Sequence, residues 1–167
     1  MKTNLFSWKQ FLFKTYGWWM FLGILLLISL GLLNASRDIW GFVITSVGAL
    51  LTSAYFIQKQ KIEETQLFID LFEKFNARYS LLSAALDNIV SKADSEDLSD
   101  QEKSTLTTYF NLCAEEYLMY DRGYVYPKVW QSWSRGMQQY FEHPRIAPFW
   151  QQEILSDSYY GIETQVR

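Results

Sequence analysis

The side chains with most chemical capacity in this sequence fall in one short stretch. Cys113, Glu115, Glu116 and Asp121 are interleaved there with Tyr117 and Tyr120. Two carboxyls can act as general acid and base, but only if they face one another. Adjacent residues on a helix point about 100° apart, so Glu115 and Glu116 make no such pair by spacing alone. Hydrogen bonding on the helix surface or between helices is the simpler account of them. Cys113 is the only cysteine, which removes an intrachain disulfide and any Cys-rich metal site. A single thiol fits a reducing cytoplasm. Its use as a nucleophile needs a base nearby, and the only histidine, His143, lies far along the chain. A buried core thiol is the simpler reading. His143 precedes Pro144, where it reads as a helix C-terminal residue favoured by the helix dipole. There is no P-loop, no dinucleotide fingerprint and no H-E-x-x-H. The sequence thus points to no catalytic residue, no cofactor and no metal, and to a protein that is not an enzyme. A membrane-bound enzyme using Glu115, Glu116 or His143 is the reading set aside.

The elements that must position these residues divide the 167-residue chain into two unlike parts. Residues 1–57 hold nearly all the long apolar runs and carry Lys2, Lys9, Lys14 and Arg37 against Asp38 alone. The remainder is acidic, with 17 of the 18 Asp and Glu residues. An acidic domain repels phosphate backbones, so direct nucleic-acid binding is not expected.

Residues 16–33 (YGWWMFLGILLLISLGLL) and 39–57 (IWGFVITSVGALLTSAYFI) contain no charge. At about 1.5 Å of rise per residue, each matches a hydrocarbon core about 30 Å thick. So few other residues cannot bury two such helices, and a transmembrane hairpin is expected. Trp8, Tyr16, Trp18, Trp19 and Tyr55 lie near the ends of the runs, where aromatic rings favour the headgroup region. A cleaved signal peptide is disfavoured, because a second apolar run follows without a small-x-small site. Residues 1–15 read as an interfacial helix or as the start of the first span. Lysines flank the outer ends of both runs and only Arg37 lies between them, which places both termini in the cytoplasm. The sequon Asn34-Ala35-Ser36 reads more simply as a helix cap and turn. In the second span Gly41, Thr45, Ala49 and Ser53 recur every four residues, with Gly48 and Thr52 on an adjacent stripe. Small residues let helices approach closely. The stripe therefore packs on the first span, with Gly23 and Gly31 as matching notches, or mediates oligomerisation around a polar path lined by Thr45, Ser46, Thr52 and Ser53.

After the spans, residues 58–155 read as a helical domain and 156–167 as a C-terminal tail. No Gly or Pro occurs between Tyr55 and Gly123, so the second span is expected to run on as a helix. Phe68, Phe72, Phe75, Tyr79, Leu82, Leu86 and Ile89 follow a four-three heptad spacing. This seam is either the core-facing stripe of a bundle helix, with Leu71 and Leu81 added, or a self-associating coiled coil. Residues 92–102 read as an exposed acidic loop closed by Ser99-x-x-Glu102, a capping box. The next helix has Leu106, Tyr109, Phe110, Leu112, Cys113, Tyr117 and Tyr120 as inner candidates and stops at Gly123. Another opens at Pro127, with Val129, Trp130, Trp133, Met137, Tyr140 and Phe141 inward, and a short helix covers 148–155.

The segments Leu71-Phe-Glu-Lys-Phe-Asn-Ala-Arg-Tyr79 and Tyr109-Phe-Asn-Leu-Cys-Ala-Glu-Glu-Tyr117, then Gly123 and Trp130-x-x-Trp133-x-x-Gly136, resemble a helical domain of unassigned function found behind transmembrane segments in bacterial proteins. Some proteins of that architecture are membrane effectors of anti-phage defence, including retron-type systems. The resemblance covers residues 68–155 and marks no active residue. It implies a bacterial inner-membrane protein, multi-pass, with a cytoplasmic protein partner such as a defence-system complex. The expected class is an all-α membrane protein: a two-helix transmembrane hairpin followed by a small helical-bundle cytoplasmic domain. The expected function is an effector or sensor whose domain receives a protein signal while the hairpin forms a homo-oligomer or perturbs the membrane. The alternative is a non-catalytic membrane anchor or scaffold for a soluble partner.

Overall fold

The computed structural model describes residues 5–33 and 37–165. The sequon at 34–36, the first four residues and the last two lie outside the described residues. The described chain is all-helical: α1 (Leu5–Leu33), α2 (Arg37–Ser91), α3 (Asp100–Asp121), α4 (Pro127–Phe141) and α5 (Ala147–Glu153). Short 3₁₀ turns follow at Ile154–Ser156 and Ile162–Thr164. The chain forms two compact units, Met1–Gln66 and Leu67–Arg167.

In the first unit the segment after Leu5 is continuous with α1, so of the two readings of residues 1–15 the described part follows the second. Both helices are long and apolar enough to cross a membrane, and only 6% of either apolar window is buried. Contact between them uses the glycines of α1. A Cβ at Gly23 would sit 3.6 Å from Leu50 Cδ1, and one at Gly31 would sit 3.3 Å from Val43 Cγ2 and 3.5 Å from the Trp40 ring. Val43 is buried, and half-buried Val47, Leu50, Ala54 and Ile57 continue its face at three- and four-residue steps. The small residues lie elsewhere. Gly41, Thr45, Gly48, Ala49, Thr52 and Ser53 are all exposed, and a Cβ at Gly41 or Gly48 would meet nothing within 4 Å. Branched and bulky side chains of α2 fill the α1 notches, so the contact with α1 does not run through the stripe. The stripe's hydroxyls are satisfied within their own helix: Thr45, Thr52 and Ser53 each donate to the carbonyl four residues back at 2.9 Å.

In the second unit the heptad residues of α2 meet the later helices. Phe75, Leu86 and Ile89 are buried and Leu82 packs against the same core. Phe68 meets the Tyr126 ring at 4.3 Å, and Phe72 stacks on Trp133 at 5.8 Å. Leu81, expected beside them, is 84% exposed. It lies one residue off the seam, and about 100° of helix turn carries it out of the core-facing stripe.

Phe110 of α3 is the hub of the core, fully buried with Phe141, Trp150 and Phe149 rings 4.8–6.0 Å away. The capping box forms: the Ser99 hydroxyl accepts from the Glu102 N–H and the Glu102 carboxylate accepts from the Ser99 N–H. Gly123, at φ +79°, reverses the chain after α3, and the Tyr124 N–H returns to the Met119 carbonyl at 2.9 Å. The segment expected as a tail is part of the core. Tyr159 and Ile162 are buried, because left-handed backbone at Asp157, Tyr160 and Gly161 turns the chain back. A Tyr159–Trp150 ring contact at 5.3 Å and a Tyr159–Glu153 hydrogen bond hold it there.

Candidate functional site

Three helices of the second unit present faces to one cleft of about 210 Å³. From α2 come Asn76 and Tyr79, and from α3 come Tyr109, Cys113 and Glu116. From α4 come Ser132, Trp133, Gly136, Met137 and Tyr140. Each set repeats at three or four residues, the spacing that keeps side chains on one helix face. The walls are thus four aromatic rings and a thioether, and Glu116 is the only acid among the lining residues.

Glu116 is 7% exposed and has no ion pair or hydrogen bond among the described residues. Burial raises its carboxyl to about 8; the Glu115 charge adds to this and Arg78 opposes it. It is therefore largely protonated at neutral pH. Neighbouring Glu115 has a different fate. It leaves the cleft and pairs with Arg78 of α2 through both carboxylate oxygens, with a second contact at 3.2 Å. The two adjacent acids do not act as a pair, as their divergence on the helix requires. Asp121 ends α3 exposed and takes no part in the cleft.

Cys113 is buried, and burial with Glu116 beside it pushes the thiol up. A thiolate nucleophile needs the opposite shift. Tyr109 is raised mainly by burial, with Cys113, Glu116 and Tyr140 around it. The Tyr79 and Tyr140 hydroxyls are 3.3 Å apart, and burial, Tyr79 and Asp87 raise Tyr140. His143 lies outside the cleft lining, where its ring nitrogen Nδ1 accepts from the Arg145 N–H at 3.3 Å. No group of acids, cysteines and histidines that could hold a metal occurs among the described residues.

A second buried charge is structural. Arg145 is 4% exposed and reaches from the α4–α5 connection to Glu102, with Nη1 and Nη2 at 2.9 and 3.0 Å from its two oxygens. The same guanidinium donates to the carbonyls of Ile89, Glu96 and Asp97 at 2.8–3.1 Å counting Nε. The acidic loop is thereby tied down through its backbone while the side chains of Asp94, Glu96 and Asp97 stay exposed. Arg145, with Ser99 and Lys92, holds Glu102 well below the usual carboxylate range.

Neither Glu116 nor Arg145 was expected as a buried group. The signal for Glu116 is present in hindsight: it follows Cys113 by three and Tyr109 by seven, on the inner stripe of α3. Arg145 has no such signal, since its partners are more than forty residues away.

The site and fold define an all-helical protein with two helices of membrane-spanning length and a separate helical unit holding an aromatic cleft around one carboxyl. Comparison with known proteins finds no family model that matches the chain, no similar curated protein and no similar solved structure.

Proposed function

We propose that this is a two-span membrane protein, an effector or sensor whose helical domain receives a protein signal and whose transmembrane hairpin self-associates or perturbs the bilayer. The observation that carries the reading is the exposure of the apolar helices. Trp18, Trp19, Leu32, Leu33, Phe42 and Ile44 are each 65% or more exposed. Leaving such side chains in water forfeits roughly 2 kcal/mol apiece, a loss that lipid or a second copy removes. The small-residue stripe faces away from α1 and is available to another helix. Helix α2 carries both this stripe and the aromatic seam of the second unit, which offers a physical route between signal and membrane. The resemblance of residues 68–155 supports a role in bacterial anti-phage defence at the inner membrane, and the lysines at the outer ends of both apolar runs support cytoplasmic termini.

The test is membrane potential, followed with a voltage-sensitive dye after induced expression in bacteria together with the candidate trigger. Full-length protein should depolarise the membrane, and Gly41→Leu with Ala49→Leu should not, while the domain keeps its helical circular dichroism. Normal depolarisation by that double variant removes the stripe from the mechanism. Function that survives replacement of both spans by unrelated ones establishes the anchor or scaffold instead.

A further inference from the structure

We propose that the cleft between α2, α3 and α4 is a binding site for a small organic ammonium ion, with Glu116 as its counter-charge and the aromatic walls as its cage. The inference concerns the second unit alone and stands whether or not the membrane reading holds. Glu116 is more than nine-tenths buried, lines the cavity and has no partner among the described residues. The rings of Tyr79, Tyr109, Trp133 and Tyr140 line the same cavity. A cation with an apolar periphery is attracted by such rings when desolvated. A plain metal ion would instead want several oxygen ligands, and the cleft offers one carboxyl. The nearest cation, Arg78, is already held by Glu115. Arg78, Glu115 and Glu116 together therefore carry a net negative charge once Glu116 ionises.

The other titratable groups facing Glu116 are Tyr109 and Cys113 of α3, with Tyr140 of α4 and Tyr79 and Asp87 of α2 beyond them. Burial keeps the Tyr109 and Tyr140 phenols and the Cys113 thiol protonated, and Glu116, raised to about 8, changes state near neutrality. An arriving ammonium displaces its proton, which leaves to solvent. Affinity must then rise with pH until Glu116 is ionised without the ligand, near 8.

The probe is choline, titrated calorimetrically into the full chain in detergent or nanodiscs, beside ethylammonium, putrescine and the neutral choline isostere 3,3-dimethylbutan-1-ol. At least one ammonium should bind saturably, with affinity rising about tenfold per pH unit from pH 6 to 7.5 and levelling above about 8. Glu116→Gln should weaken it at least tenfold and abolish the pH slope. Gly136→Leu, at a lining position where a Cβ meets nothing within 4 Å, should block it sterically while the protein keeps its wild-type helical circular dichroism. Absence of saturable binding by all three ammonium probes overturns the proposal. So does equal binding of the neutral alcohol, or an unchanged pH slope in a folded Glu116→Gln protein.

Discussion

A carboxyl that stays protonated in the folded protein lowers stability wherever its unfolded counterpart has ionised. For Glu116 that window runs from about 4.5 up to about 8. Across it the unfolded chain binds fewer protons than the folded one, so stability falls as pH rises. At 1.36 kcal/mol per unit, the loss at pH 7 is on the order of 3 kcal/mol. Glu116→Gln should therefore raise the melting temperature by about 5 °C or more at pH 7.5 and leave it nearly unchanged at pH 4.5. A destabilising carboxyl in a cleft is a feature of binding sites more than of cores, and this variant separates the two costs. Glu102 has the opposite sign. Its folded value lies below the unfolded one, so its contribution is complete above about 4.5 and is lost as pH falls toward the folded value. Glu102→Ala should cost about 3 kcal/mol at pH 7, because it strands the Arg145 guanidinium in a buried site. Its denaturant midpoint should also lose most of the wild type's sensitivity to acid between pH 4.5 and 3. A wild-type-like midpoint for Glu102→Ala at pH 7 would remove the ion pair as the clamp on the acidic loop.

At the scale of elements, the seam of α2 raises a choice between a core stripe and a coiled coil, and two leucines of that helix offer a test of it. Leu86 is fully buried and Leu81 is 84% exposed, five positions apart on one helix. Leu86→Ala should destabilise the second unit by about 3 kcal/mol through the cavity it leaves, and Leu81→Ala by less than about 0.5 kcal/mol. A large effect at Leu81 on both stability and oligomeric state would show a partner helix on that face. The same contrast explains what was legible in the sequence. Periodicity and capping are local, so the boundaries of α3 at Ser99 and Gly123, the Pro127 start of α4 and the inner faces of both could be read directly. Residues 156–165 could not, because their attachment depends on contacts with Trp150 and Glu153 and on three left-handed residues, two of them not glycine. The cleft was illegible for a related reason. Its residues are drawn from three helices, and only packing brings Glu116 into one lining with Tyr140 and Trp133.

For the whole molecule, the separation of charge is the organising fact. Basic residues flank the two apolar runs at their outer ends, and almost all the acids lie beyond the second run, 39–57. The inside of a bacterial membrane retains positive flanks, whereas acidic residues have little influence on orientation. The unit with the cleft is therefore expected on the cytoplasmic side, and the connection between α1 and α2 outside. The native thiol makes this easy to check, since Cys113 is 1% exposed and should react slowly. Cysteines introduced by Ala35→Cys and Asp97→Cys would be labelled in turn with a membrane-impermeant maleimide. On intact spheroplasts the first should react and the second should not; after lysis both should react to the same extent. The reverse pattern would place the cleft outside, where an ammonium ligand comes from the surroundings and a cytoplasmic protein partner has no access. Equal labelling of both in intact spheroplasts would put positions 35 and 97 on the same side and show that the apolar run 39–57 does not cross the bilayer.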